Sequence, residues 1–250
     1  MRKEGYCAYG AGVVQALLER LQAGDCEALF RLQVCLSLFR ACYPPTRLAY
    51  WKRRIRRCLR ALNALNDHQQ LLQWVSEQEY SPEQRAGIQR VQLRLSQRIA
   101  NLLQRADEAW QSLLQSHTLN EMRGLSRRWT ETHASEPPCP DYIHHTWKQF
   151  VREHQPALAS ETMALDTRWG RLHTLIVGAE ILGSLLENPV PCEWLSEFQK
   201  VGQERFVQTA QHILQSLWES EQEQVRQFYG HTRPLQRLRL GWELLQSKVS

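Results

Sequence analysis

The sequence predicts an all-α protein, a duplicated helical bundle. Three observations lead there. Apolar residues recur every three or four positions through most of the chain. No segment alternates like a strand for more than a few residues. Proline and glycine fall between the periodic segments.

Helices are expected at about residues 10–23, 26–42, 46–64, 67–79, 81–117, 119–133, 141–154, 159–187, 191–219 and 233–247. Gly24-Asp25 separates the first two, and Pro44-Pro45 closes the second. The segment 26–42 is apolar on nearly every side, as a central helix is. The segment after Tyr80 is the clearest. Ser81 can cap it, Pro82 suits its first position and Gln84 can close a capping box. Ile88, Val91, Leu95, Ile99, Leu102, Ala106, Trp110 and Leu113 then paint one face. At about 1.5 Å per residue that helix is roughly 50 Å long and needs others alongside it. Ser135-Glu136-Pro137-Pro138-Cys139-Pro140 is the clearest linker and divides the chain near its middle. It sets the expected halves at 1–134 and 135–250. Asn188-Pro189 and Pro191 mark a later break.

The chain has 250 residues, 42% hydrophobic and 23% charged, as a globular protein does. It has no apolar run of 18 residues and no apolar stretch behind Met1-Arg2-Lys3-Glu4-Gly5, so a soluble, cytoplasmic protein is expected. Its seven cysteines are odd in number and form no C-x-x-C pair, which argues against a disulfide framework and a zinc knuckle. They read as small buried hydrophobes. The net charge of +5 is uneven: residues 1–125 carry +7 and residues 126–250 carry −2. Most of the positive charge is arginine, which suits forked contacts with phosphate or carboxylate.

A repeat is visible at an offset of 143. Leu29, Leu32 and Val34 match Leu172, Leu175 and Val177, and Trp51 meets Trp194 just after a proline-marked turn. On these positions the chain resembles the CHAD family, the conserved-histidine α-helical domain. Glu27-Ala28-Leu29 would lead into the first characteristic helix, and Tyr50-Trp51 would open the next. Ala61 to Asp67 would end that helix in an Asn-Asp turn, with Gln70-Leu71-Leu72 following. Gly170-Arg171-Leu172-His173 would lead into the second characteristic helix. The resemblance implies a duplicated bundle with inorganic polyphosphate in a basic groove between the halves. It also implies a stripe H-x-x-R-x-x-x-[RK]-R-x-R on one helix of each half. Here the first stripe reads Phe30, Gln33, Ser37, Leu38 and Arg40, so only its last basic position remains. The second reads His173, Ile176, Glu180, Ile181 and Gly183, so only its histidine remains.

The strongest positive cluster is Lys52 to Arg60, with six basic residues and no acid. Ile55, Leu59 and Leu62 point one way, and Arg53, Arg57 and Arg60 the other, with Arg54 and Arg56 on the flanks. This ridge is either an anion grip, a protein-binding surface or a solvated face. His173 is either a groove residue facing an anion or a histidine satisfied within helix packing. His144-His145 point about 100° apart on a helix and do not share an ion well. Gly10-Ala11-Gly12 reads as a turn but has no strand before it and no third glycine, so it is no nucleotide loop. Glu219, Glu221 and Glu223 read as the solvated end of a helix. No nucleophile system, catalytic carboxylate pair, metal site, cofactor motif or nucleic-acid motif stands out.

The sequence therefore predicts a non-catalytic binding protein for a polyanion, with inorganic polyphosphate as first candidate. Arg40, Arg53, Arg54, Arg57, Arg60 and His173 are the expected contacts. The alternative is a scaffold of the same fold that has lost its anion site and binds a protein partner.

Overall fold

A computed structural model describes residues 3–133, 135–156, 162–186 and 190–249. Among these residues there are nine α-helices and no strand. They are α1 (Glu4–Gln22), α2 (Glu27–Leu38), α3 (Pro45–Glu77), α4 (Pro82–Leu114), α5 (His117–His133), α6 (Pro140–His154), α7 (Leu165–Leu186), α8 (Cys192–Tyr229) and α9 (Gln236–Val249). Short 3-10 turns follow α2 at Arg40–Cys42 and precede α9 at Arg233–Leu235.

The helix ends show why the boundaries fall where they do. Gly24 takes a φ of 89°, which closes α1. The Asp25 carboxylate then accepts from the Glu27 and Ala28 amides at 2.9 and 3.3 Å, satisfying the start of α2. At α4 the Gln84 side chain accepts from the Ser81 amide at 3.1 Å, one arm of the capping box. The 135–140 linker is non-helical at 135–139 and hands over to α6 at Pro140. The break expected at Asn188-Pro189 lies outside the described residues.

Four expectations are corrected. The helices foreseen at 46–64 and 67–79 are one, α3, with Asn66 and Asp67 in its interior. Asp67 makes no turn there, because Arg205 engages its carboxylate with two hydrogen bonds of 3.0 Å. Gly10-Ala11-Gly12 is no turn either but lies within α1, where Phe39 packs on Gly10 so closely that a Cβ would sit 2.3 Å from the ring. The last long helix runs on to Tyr229, so Glu221 is no solvated end. It is 2% exposed, paired with Arg90 and Arg94 at 2.5 Å each. Finally, two cysteines are joined: Cys7 on α1 bonds Cys42 after α2, 35 residues apart. Cys35 and Cys58 are buried free thiols as expected, whereas Cys26 and Cys192 are exposed. Pairing of cysteines so far apart needs the tertiary fold, which spacing does not display.

The helices form two compact units. The first takes residues 1–59 and 109–202, the second 60–108 and 203–250. Each unit therefore draws chain from both sides of the 135–140 linker. In the first, α1 packs on α2 and α5, while α7 packs on α2 and α6. Helix α2 is its centre, with Ala28, Leu29, Leu32, Val34, Cys35, Leu36 and Leu38 all buried. The Tyr6 and Phe39 rings meet beside it at a tilt, with centroids 4.6 Å apart, and the Tyr6 hydroxyl donates to the Leu38 carbonyl at 3.2 Å. The second unit closes around Leu71, Val75, Ile88, Val91, Leu95, Leu214, Trp242 and Leu245. There α9 crosses α4 at a paired small-residue contact, with a Cβ on Gly87 lying 2.4 Å from the Leu238 carbonyl oxygen.

Candidate functional site

Both stripe helices, α2 and α7, lie in the first unit and pack against each other. The apolar positions matched at the offset of 143 are buried in both helices. Leu29 and Leu172, Leu32 and Leu175, Val34 and Val177 are all 4% exposed or less.

The two histidine positions of the stripes, Phe30 and His173, meet at this seam. Their rings stack with centroids 4.0 Å apart and planes 16° from parallel. Trp169 and Phe198 close around the imidazole at 5.1 and 5.2 Å. Burial, with Arg31 acting in the same direction and Glu180 opposing, lowers the His173 pKa from 6.5 to about 4. The imidazole is therefore neutral at neutral pH. Its Nδ1 is buried without a hydrogen-bond partner, as is Gln33 Oε1.

The other stripe positions are accounted for as well. Leu38, Ile176 and Ile181 are buried in the core. Ser37 turns its hydroxyl back to the Gln33 carbonyl at 2.9 Å. Glu180 pairs across the seam with Arg31 at 2.6 Å. A carboxylate stands where a basic residue would serve a phosphate, and it has its own arginine. Arg40, on the turn after α2, makes a forked pair with Glu153 of α6 at 2.7 and 3.0 Å. Both partners are about half exposed, so a competing anion can reach the guanidinium.

The basic face of α3 is different. Ile55 and Cys58 are buried, while Arg53, Arg56 and Arg57 are exposed. Arg53 and Arg57 engage in no ion pair among the described residues. Arg56 donates to the Lys52 carbonyl at 3.2 Å. Arg54 lies on the flank and donates to the Ser112 carbonyl at 3.3 Å. Lys52 has a lowered pKa, through burial first and then the positive charges of Arg56 and Arg40, with Glu153 opposing. Arg40 thus acts electrostatically on this helix face through Lys52. Arg60, exposed one turn further along α3, is counted in the second unit.

A family model for the CHAD domain matches residues 27–205, well over half of the chain. The chain belongs to the CHAD family. No curated protein matches it, and no solved structure matches it. The match begins at the first residue of α2 and covers the α2–α7 seam together with the basic part of α3.

Sequence reasoning named Arg40, the α3 arginines and His173 as contacts, counted Lys52 only as a charge and Glu180 only as a replaced stripe position, and missed Arg31 and Glu153. The Arg40–Glu153 partners are 113 residues apart, and the Arg31–Glu180 partners 149. No local pattern marks either pair. Lys52 was visible as a charge, but its half-burial depends on tertiary packing.

Proposed function

We propose that this CHAD-family chain is a non-catalytic, cytoplasmic binding module for a polyanion, with inorganic polyphosphate as the first candidate. In this reading the phosphates lie along the exposed side of α3. Arg53, Arg54 and Arg57 are the principal contacts, Arg60 continues the same helix face, and Arg40 exchanges Glu153 for phosphate. His173 takes part as a neutral ring that holds the seam, not as a cation. The observation that carries the proposal is the pair Arg53 and Arg57, exposed and outside any ion pair among the described residues. Two unengaged guanidinium groups one turn apart suit adjacent phosphates of a flexible chain.

The test is binding of labelled long-chain polyphosphate, with single-stranded DNA as the charge-matched control. Polyphosphate should bind more tightly than DNA at the same salt. Charge reversal by Arg53→Glu, Arg57→Glu and Arg60→Glu together should abolish binding while leaving the helical circular-dichroism spectrum intact. Unchanged affinity in that variant removes α3 as the site.

One set of contacts favours the alternative, a scaffold for a protein partner. The stripe positions are filled by stacking, core packing and the Arg31–Glu180 pair. A protein that fails to bind polyphosphate, yet recovers a specific partner that Arg31→Ala or Glu180→Ala releases, supports this second reading.

A further inference from the structure

Helix α5 starts at His117, with only two residues between it and the end of α4 at Leu114. The amides of His117, Thr118 and Leu119 lead the helix and have no intrahelical acceptor. Ser116 stands at the capping position, but its hydroxyl is donated back to the Leu113 carbonyl at 2.6 Å. Among the described residues no side chain is hydrogen-bonded to those three amides. The first turn of this 17-residue helix carries no acidic residue to answer its positive end.

Two arginines of α3 share a cleft with this helix end. Arg47 and Arg54 are seven residues apart and so lie on one face, with Tyr50 between them. The cleft has a volume of about 560 Å³. Arg54 is steadied by its bond to the Ser112 carbonyl, and the rest of its guanidinium remains available to donate. Arg47 makes no ion pair among the described residues.

A second observation is independent of the helix end. Thr118, which lines the same cleft, is 2% exposed, and its hydroxyl oxygen has no hydrogen-bond partner. Buried hydroxyls in folded proteins are rarely left unsatisfied, and a ligand is one of the things that satisfies them. One acid also lines the cleft, Glu121. Its carboxylate accepts from Trp51 Nε1 at 3.1 Å, so part of its charge is already engaged. Two arginines and a helix N-terminus outweigh it.

We infer that this cleft is a site for a phosphoryl oxyanion, either free inorganic phosphate or the terminal phosphate of a short phosphate chain. It is separate from the phosphate grip proposed for Arg53 and Arg57, with which it shares only Arg54. The oxygens would accept from Arg47, Arg54 and the leading amides of α5, and the Thr118 hydroxyl would gain a partner. The donors converge from two helices, which suits an anion with several acceptor oxygens.

The experiment is calorimetric titration of the full chain with orthophosphate and with tripolyphosphate at constant ionic strength. Saturable binding is expected, weakened about tenfold or more by Arg47→Gln. Thr118→Val keeps the side-chain shape and removes only the unpartnered hydroxyl. It should weaken phosphate binding several-fold while leaving the melting temperature unchanged or raised, which separates a ligand role from a structural one. Preference for tripolyphosphate identifies a chain end as the occupant; equal affinity identifies a single phosphate. Arg53→Gln with Arg57→Gln should leave this binding within about twofold, even where it weakens long-chain binding. Absence of saturable binding to either probe, or binding indifferent to both Arg47→Gln and Thr118→Val, overturns the inference. Neither result touches the long-chain reading, which the α3 variants test on their own.

Discussion

Replacing His173 by phenylalanine tests whether the seam is held by a neutral imidazole. In the folded protein the pKa of His173 is lowered from 6.5 to about 4, mainly by burial. Protonation therefore favours the unfolded chain between these values. The full stability is present above pH 6.5 and is lost as the pH falls toward 4. Each unit crossed is worth about 1.36 kcal/mol, so the step from pH 6.5 to pH 5 costs the native state up to about 2 kcal/mol. The whole window is worth up to about 3 kcal/mol, an upper bound because the ring is only partly screened from solvent. Phenylalanine keeps a ring against Phe30 and removes the unpartnered Nδ1. At pH 7 the variant should match or exceed wild-type stability. Guanidinium unfolding followed by circular dichroism at pH 7 and pH 5 provides the comparison. The variant's advantage should grow by about 2 kcal/mol at the lower pH. A histidine NMR titration should find one imidazole that stays neutral down to about pH 4. Parallel stability curves for the two proteins, or a His173 midpoint near 6.5, would refute the reasoning.

Other outcomes follow from the same structure. Treating Arg40, Arg53, Arg54 and Arg57 as four phosphate contacts on a single-strand-like polyanion gives a log–log salt slope of about −2.8. Affinity for long polyphosphate should then fall about 50-fold between 50 and 200 mM salt, and only about 7-fold for Arg53→Gln with Arg57→Gln; equal slopes in a fluorescence-anisotropy titration count against those contacts. Glu221→Leu leaves Arg90 and Arg94 beside an apolar group, so a loss of about 3 kcal/mol or more is expected in chemical denaturation. Reducing Cys7–Cys42 releases a 35-residue closure and should cost about 3–4 kcal/mol, seen as a lower melting temperature with reductant that Cys7→Ser does not show further. Gly241→Val brings side-chain carbon into the backbone of α4, where even a Cβ meets the Gln84 carbonyl oxygen at 2.7 Å, and should lower the melting temperature by several degrees.

Much of the fold was written locally. The α4 stripe could be read because a surface helix shows its buried face as a period, and Ile88, Val91, Leu95, Ala106 and Leu113 are indeed buried. The Ser81–Gln84 cap could be read because its two partners are three residues apart. The sequence reading divides helix α3 in two, and the family resemblance puts an Asn-Asp turn at Asn66-Asp67, residues that are weak helix formers. What carries the helix through them is Arg205, 138 residues away, and no local pattern contains it. Glu221 failed for the same reason: a glutamate among glutamates reads as solvated until two arginines of another helix close on it. The compact units, each assembled from two separated stretches of chain, likewise depend on contacts that sequence order does not carry.

The site divides along the same line. The positive charge of α3 was legible because six cations lie on nine consecutive residues, and a helix must put most of them outside. The fate of the stripes was not, because it depends on what meets what across α2 and α7. Sequence comparison counts Phe30, Glu180 and Ile181 as three separate losses of a family pattern. In the folded protein they are compatible with one another: Phe30 fills the space over His173, Glu180 answers Arg31, and Ile181 is core. A neutral, packed seam of this kind offers a phosphate chain little, since restoring a single arginine at position 33 or 176 would place a charge beside a neutral imidazole and apolar neighbours. Recovering a stripe would need several changes at once. In the proposed reading a polyanion is therefore better served by the exposed arginines of α3, where the charge is already solvated and needs no remodelling of the core.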